Sequence, residues 1–218
     1  FRQSKVHPTL FWYWRNGALE GALGIHVDDD LITGPEWFCK EVLPKLRKRF
    51  VYGKWAVDKF THCGRDYSRR ADGAVIVGQA NYAMSLPKMK LTNVRRKQSD
   101  QRTTPEETSE LRTVLAKIAW LTRGTRPEMS YDLARLQQRI NEATVRDIID
   151  ANVLVDRARR DAKAIVTLEP LKWDTMELMA VGDSSFMNGE QGATQAGYFI
   201  MGCEPDVWKN GFGKVSCL

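Results

Sequence analysis

The chain has 218 residues, a net charge of +6, and apolar and charged fractions of 43% and 28%. These values are typical of a globular protein that can bury a substantial core in one or two domains. No run approaches the roughly 18 apolar residues of a membrane span, so no membrane partner is expected. The four cysteines are scattered without a CxxC pair, which predicts free thiols in a reducing, intracellular compartment.

The first predicted elements are two strands joined by a tight turn. Thr9–Trp14 is aromatic and strand-like, and the apolar run Ala22–Val27 follows it. Asn16-Gly17, between them, is a dipeptide preferred in two-residue hairpin turns. The sequence therefore predicts a β-hairpin near the start of the chain.

Three consecutive aspartates, Asp28, Asp29 and Asp30, follow the second strand. Neighbouring carboxylates repel, so they stay ionised together where a positive group such as a divalent metal lies between them and a substrate. One interpretation is a strand that delivers acids to a solvent-facing edge. The alternative is an acidic turn before a helix, capped by Thr33 or Gly34.

The segment after the acids is predicted to be helical and basic. Gly34–Phe50 carries apolar residues at every fourth position, and Pro44 inside it predicts a kink or a break into two helices. From Glu36 to Arg70 there are ten Lys or Arg against four Asp or Glu, an excess equal to the whole net charge. Basic stretches with interleaved aromatic residues suit a nucleic-acid backbone. The alternative is a solvated basic face.

The middle of the chain is predicted to contain strands, a short helix and a connecting segment. Val57–Arg69 and Ala74–Val77 have strand character, and Gln79–Leu86 is predicted to be a helix that Pro87 ends. Lys88–Thr104 is polar, basic and poorly periodic, so it is predicted to be a linker or an exposed loop.

A helical bundle is predicted next. The first helix begins after Thr104, with Pro105 in its first turn and Glu107 completing a capping box. A second begins at Pro127, and a third covers about residues 144–165. We expect the arginines of these helices to be solvated.

The pattern changes to strands from Met176 onward. Three strands are predicted at Glu177–Asp183, Thr194–Gly202 and Val207–Val215, after a domain boundary near residues 168–170.

A resemblance to a known family rests on the acidic segment and on its neighbours. His26-Val27-Asp28-Asp29, with an apolar strand before it and Leu31-Ile32-Thr33-Gly34 after it, resembles the Tyr-x-Asp-Asp hairpin of reverse transcriptases, and the copia-type retrotransposon class in particular. Six further segments resemble that class in the same order, along nearly the whole chain. These are Gln3–Phe11, Leu46–Phe50, Phe60–Arg69, Gln79–Ala83, Ala119–Tyr131, and Gly182–Phe186 with Gly197–Phe199.

The resemblance implies an α+β fold in three parts. They are a reverse-transcriptase palm remnant with its β-hairpin at 1–90, a helical thumb or connection region at 91–170, and the first strands of a ribonuclease-H-like sheet at 171–218. It further implies part of a Pol polyprotein with RNA-directed DNA polymerase and ribonuclease H activities, in a cytoplasmic particle or the nucleus. The implied partners are an RNA/DNA template–primer, deoxynucleoside triphosphates, and the rest of the polyprotein.

The resemblance also implies roles for particular residues. Asp28 is expected to be a catalytic ligand of Mg²⁺, with Asp29 beside it, in a site that holds two Mg²⁺ ions. Asp183 is expected to be the first acid of the ribonuclease H metal site. The cations expected to contact nucleic-acid phosphates are Lys45, Arg47, Lys48, Arg49, Lys54, Lys59 and Arg65.

The sequence departs from the family pattern at several points. His26 replaces the usual Tyr, and Asp30 adds a charge where the hairpin should pack. The other palm aspartate is expected before Phe1, and the remaining ribonuclease H acids after Leu218, since Glu190 lies in a glycine-flanked turn. We therefore expect the 218 residues alone to catalyse nothing measurable.

Two other hypotheses stay open. One is a degenerate or domesticated relative that binds nucleic acid without polymerising, which His26 and Asp30 favour. The other is an unrelated α/β domain with an acidic turn and a basic face. The last predicts no salt-dependent affinity for an RNA–DNA hybrid, whereas the others predict an affinity that falls as salt rises.

Overall fold

The structure, a computed structural model of the chain, describes residues 1–185, 187, 192 and 194–217. It is a mixed α+β fold with antiparallel sheets and several helices, which confirms the fold class at that level. The chain divides into two compact units, Phe1–Cys63 and Gly64–Leu218. The division into 1–90, 91–170 and 171–218 stays a prediction.

The first unit contains an antiparallel sheet whose strands pair in chain order. Asn16 and Gly17 have positive φ angles of 51° and 81° and form the predicted turn of its first long hairpin. The sequence offered two interpretations of the acids, a strand that delivers them to an edge and an acidic turn before a helix. In the structure, Asp28 lies in a second hairpin turn, and Asp29 and Asp30 begin a further strand that separates them from the next helix. The strands are β1 (Arg2–Gln3), β2 (Leu10–Arg15), β3 (Ala18–His26) and β4 (Asp29–Thr33).

Two short helices follow this sheet, α1 (Glu36–Glu41) and α2 (Leu43–Arg49), and then β5 (Lys59–His62). The predicted break is confirmed, since Pro44 lies in the first turn of α2. Proline lacks the N–H that an interior position requires but fits a first turn, so it ends one helix and starts the next.

Phe38 is the fully buried residue that joins α1 to the sheet. A Cβ added at Gly21 would lie 2.8 Å from its Cε2 atom, and one added at Gly34 would lie 2.5 Å from its Cδ1 atom. Only glycine permits this approach. Phe50, predicted on the same apolar stripe, is 56% exposed because the helix ends before it.

The second unit is centred on helices around one apolar core. The core includes Ala83, Leu86 and Met89, so residues before position 90 pack with the helices that come after it. The predicted bundle contains additional helical turns at 127–129 and 140–142. The helices are α3 (Ala80–Ser85), α4 (Asn93–Lys97), α5 (Pro105–Thr122), α6 (Ser130–Gln138) and α7 (Val145–Arg160).

The predicted capping box of α5 is confirmed. The Glu107 N–H donates to Thr104 Oγ1 at 3.2 Å, and the Thr104 N–H donates to Glu107 Oε2 at 2.9 Å. The linker prediction for residues 88–104 is wrong, because they contain α4 and the buried Met89. Arg95 of α4 donates to both Glu107 carboxylate oxygens, at 2.9 and 2.7 Å, which fastens this segment to α5.

Arg126, which lies between the first and second predicted helices, is buried. It is 3% exposed and pairs with Glu128 at 2.5 Å and with Asp161 at 3.6 Å. Its Nη1 donates to the Ala158 and Asp161 carbonyls at 3.4 and 3.1 Å. Arg126 therefore satisfies carbonyl groups at the end of α7 that the helix itself leaves unpaired.

The second unit also holds antiparallel strands. Val57–Arg69 is not one strand, because the chain turns at Cys63-Gly64, where both φ angles are positive. The third predicted helix ends at Arg160, and Val207–Val215 is a short helix and the start of a strand. The remaining elements are β6 (Arg65–Arg69), β7 (Val75–Gly78), β8 (Ile165–Leu168), β9 (Glu177–Ser185), β10 (Gln195–Cys203), α8 (Val207–Asn210) and β11 (Val215–Cys217).

Strands β6, β7 and β8 pair in that order, and β9 and β11 pair on either side of β10. Among the residues described, no helix combines the length and the apolar character needed to cross a bilayer.

Candidate functional site

The acidic segment lies at the tip of the hairpin formed by β3 and β4. His26 pairs with Asp29, so Val27 and Asp28 form a two-residue turn. Val27 is 83% exposed and has a φ of 55°, in the left-handed region that β-branched residues rarely adopt. The tip therefore carries local backbone strain, which is often found at functional sites.

The three carboxylates do not share one environment. Asp28 and Asp29 are exposed, whereas Asp30 is partly buried. Asp29 lies opposite His26 and Asp30 lies opposite Ile25, so Asp29 and Asp30 are on opposite faces of the sheet. Of the three carboxylates, Asp28 and Asp29 are therefore the two that are exposed to solvent at the tip.

Asp30 is engaged by a residue that the sequence did not identify. The Tyr52 hydroxyl donates a hydrogen bond to Asp30 Oδ2 at 2.9 Å. Burial, and then the hydrogen bond and the charge of Asp30, raise the pKa of Tyr52 to about 12. The Tyr52 ring meets Trp55 edge-to-face with centroids 5.5 Å apart, and Trp55 packs against the core that contains Phe38. Sequence reasoning could have predicted a partner for Asp30, since a charge on the packed face of a hairpin requires one.

Asp28 and Asp29 suit Mg²⁺ by their chemistry. The ion prefers hard oxygen ligands and commonly binds one or two carboxylates together with waters and substrate phosphates. Within the described part of the chain, no group of three or more His, Cys, Asp or Glu side chains is arranged to hold a metal. The hairpin therefore supplies at most these two carboxylates toward a magnesium site.

Two histidines lie close to each other beside this tip. The rings of His26 and His62 have centroids 6.4 Å apart and are roughly perpendicular. No local pattern predicts this pairing, because β5 and the hairpin are far apart along the chain. His26 thus has an aromatic neighbour.

The basic residues of α2 are all exposed. Lys45, Lys48 and Arg49 are spaced three and four residues apart and share one helix face. Arg47 instead places its guanidinium 5.0 Å from the centroid of the Trp55 ring, a cation–π contact. Three cations of α2 are therefore available to a polyanion, while Arg47 anchors the helix.

The other predicted nucleic-acid contacts are more scattered. Lys54 follows α2 and Lys59 begins β5, and both are exposed in the first unit. Arg65 belongs to the second unit and is partly buried, with its guanidinium 4.9 Å from the Trp120 ring centroid. Its Nε is a buried donor without an acceptor among the described residues. Arg65 is thus packed against protein, unlike Lys45, Lys48 and Arg49 of α2.

Asp183 lies on β9 in the second unit. Its register partner on β10 is Gly197, so no side chain stands opposite it. Asp183 is exposed, and its Oδ1 accepts a hydrogen bond from the Ser184 N–H at 2.9 Å. Phe186 and Glu190, which entered the family resemblance and its departures, lie outside the described residues.

Comparisons with family models, with curated proteins and with solved structures found no match in any of the three. The resemblance to copia-type reverse transcriptases therefore stays a prediction from the sequence.

Proposed function

We propose that this chain is part of an RNA-directed DNA polymerase of the copia-type retrotransposon class, with the start of its attached ribonuclease H domain. The observation that supports this most is the pair of exposed carboxylates, Asp28 and Asp29, at the tip of a tight β-hairpin. One face of that sheet is covered by α1, as the packing of Phe38 on Gly21 indicates. The tip of a hairpin whose sheet is packed against a helix is a suitable position for metal-binding acids.

In this proposal the residues of the chain bind and orient the substrates. Asp28 and Asp29 would hold Mg²⁺, and Lys45, Lys48 and Arg49 would contact phosphates of the template–primer without reading its sequence. When bound, Mg²⁺ activates the primer hydroxyl and neutralises the phosphates of the incoming deoxynucleoside triphosphate. Asp183 would contribute in the same way to the ribonuclease H site.

Metal binding at the hairpin tests the first part of the proposal. Mn²⁺, a paramagnetic substitute for Mg²⁺, is titrated against the protein and followed by electron paramagnetic resonance. We expect the Asp28→Asn/Asp29→Asn variant to lose the bound Mn²⁺ signal. Asp30→Asn is the matched control and should keep it, because an amide oxygen can still accept the hydrogen bond from Tyr52. Equal Mn²⁺ binding by all three proteins would contradict the assignment.

Salt dependence tests the nucleic-acid contacts. The affinity for an RNA–DNA hybrid is measured by fluorescence anisotropy at several salt concentrations. Each lost phosphate contact lowers the slope of log K against log salt by roughly 0.9. Replacing Lys45, Lys48 and Arg49 by Ala should therefore reduce that slope by about 2 to 3. The matched control replaces three exposed lysines at the other end of the chain and should change it less. The control lysines are Lys172, Lys209 and Lys214.

A second function is favoured by the cations of α2, which need no metal to bind a polyanion. It is that of a degenerate or domesticated relative that binds nucleic acid without polymerising. Under this function, hybrid binding is unchanged by Mg²⁺ and by the Asp28→Asn/Asp29→Asn substitutions. Under the polymerase proposal, Mg²⁺ strengthens hybrid binding and the double substitution removes that increase.

A further inference from the structure

A cleft of about 660 Å³ lies in the second unit between α3 and the end of α7. Its volume is in the range of small-molecule sites. Three cations line it, Arg159, Arg160 and Lys163, together with one acid, Asp161. The ionisable lining therefore carries a net charge of +2, from three positive groups and one negative group.

The single acid is already neutralised by protein. Arg160 donates to both Asp161 oxygens, at 3.2 and 3.1 Å, and Arg126 lies 3.6 Å from the same carboxylate. The hydrogen bond from Arg160 holds the pKa of Asp161 below its ordinary value, so Asp161 stays ionised and paired. The charges of Arg159 and Lys163 remain for a ligand.

The carbonyls at the C-terminal end of α7 do not repel an anion in this cleft. Unpaired carbonyls at a helix C-terminus carry partial negative charge. Arg126 donates to two of these carbonyls, those of Ala158 and Asp161. Arg159 donates to the Leu86 carbonyl at 2.6 Å through Nη2, while its buried Nε has no acceptor in the described part of the chain. The guanidinium of Arg159 thus retains donor capacity that the described residues do not use.

The remaining lining suits a flat ring. Ala80, Ala162 and Ala164 have small apolar side chains, and Met84, which is 57% exposed, has a thioether, a group that contacts aromatic rings favourably. The Asn81 amide offers donors and an acceptor to the edge of a heterocycle. Cations for a phosphate, an apolar surface and one amide therefore occur in the same cleft.

We infer that this cleft binds a nucleoside phosphate, with the phosphate at Lys163 and Arg159 and the base against Met84. The residues of this cleft all belong to the second unit, whereas the acidic hairpin and α2 belong to the first. The inference goes beyond the proposed polymerase function and does not depend on it.

The test is isothermal titration of the 218-residue chain with ADP, in EDTA so that no divalent metal contributes. We expect one ADP per chain. Lys163→Glu should weaken binding at least tenfold, because it replaces an attractive charge by a repulsive one. Lys97→Glu is the matched control and should bind like the parent. Lys97 belongs to α4, and the chain just after α4 lies at the start of α7, where the Arg146 N–H donates to the Ser99 carbonyl. The cleft lies at the other end of α7, about 20 Å away by the length of that helix.

A second variant separates the base from the phosphate. Met84→Ala should weaken ADP binding severalfold and leave pyrophosphate binding unchanged, because only the base contact is lost. Absence of ADP binding would overturn the inference, as would equal losses in Lys163→Glu and Lys97→Glu, which indicate general charge attraction. Binding of polynucleotide but not of ADP would also overturn it. ADP binding retained by Asp28→Asn/Asp29→Asn would support the cleft whatever the outcome for the hairpin.

Discussion

The hydrogen bond from Tyr52 to Asp30 gives a prediction whose size follows from the structure. Tyr52→Phe removes the donor and leaves a partly buried carboxylate without it. Hydrogen bonds to charged groups contribute roughly 1.5–3 kcal/mol, and partial exposure of this pair lowers the expected loss to about 1 kcal/mol. The free energy of unfolding is measured by urea denaturation, followed by tryptophan fluorescence, to which Trp55 contributes beside Tyr52.

A double-mutant cycle isolates this interaction from other effects of the substitution. It compares Tyr52→Phe, Asp30→Ala and the double variant, and we expect a coupling energy of about 1 kcal/mol. Tyr131→Phe is the matched control, at a residue that is 53% exposed, and should leave stability unchanged. A coupling energy of about 0.3 kcal/mol or less would refute the assigned role of Tyr52.

The same bond has a defined pH dependence. The pKa of Tyr52 is raised from 10.0 to about 12 in the folded protein. A raised folded-state pKa means that the stabilisation is complete below the unfolded pKa and is lost as pH rises through the folded value. Stability of the parent should therefore fall from about pH 10 to about pH 12 more steeply than that of Tyr52→Phe.

Two further predictions concern packing and charge. Gly21→Ala places a Cβ 2.8 Å from Phe38 Cε2 and should cost about 1–3 kcal/mol of unfolding free energy, whereas Gly53→Ala, with no atom within 4 Å, should change it by less than about 0.5 kcal/mol in the same urea assay. The hydrogen bonds from Arg95 lower the pKa of Glu107, so the stabilisation is present above the unfolded pKa of about 4.3 and is lost as pH falls through the folded value. Glu107→Gln should flatten the acid-side decline in melting temperature, and a decline as steep as that of the parent would contradict this.

Local signals predicted the elements whose cause is local. The capping box at Thr104 and Glu107 is a pattern of neighbouring residues, and the start of α5 followed from it. Pro44 acts on its own backbone, so the break between α1 and α2 was also predictable. The Asn16-Gly17 turn needs positive φ angles, which these two residue types tolerate.

Tertiary contacts decided the elements that sequence reasoning missed. Residues 88–104 look like a linker because few of them are apolar, yet Arg95 fixes them through Glu107 and Asn152 bonds both backbone groups of Met89. In the candidate site, the acids were identified from the sequence. Their separation into exposed Asp28 and Asp29 and an engaged Asp30 was not, because it depends on Tyr52, which lies 22 residues away.

The unusual backbone of Val27 has a consequence for any ion that binds beside it. The pairs His26–Asp29 and Ile25–Asp30 close the turn around Val27, whose positive φ angle a valine rarely adopts. The backbone that carries Asp28 and Asp29 is therefore ordered before an ion binds, and coordination would restrict mainly the two side chains. Part of the affinity for a cation would then come from freedom already given up during folding.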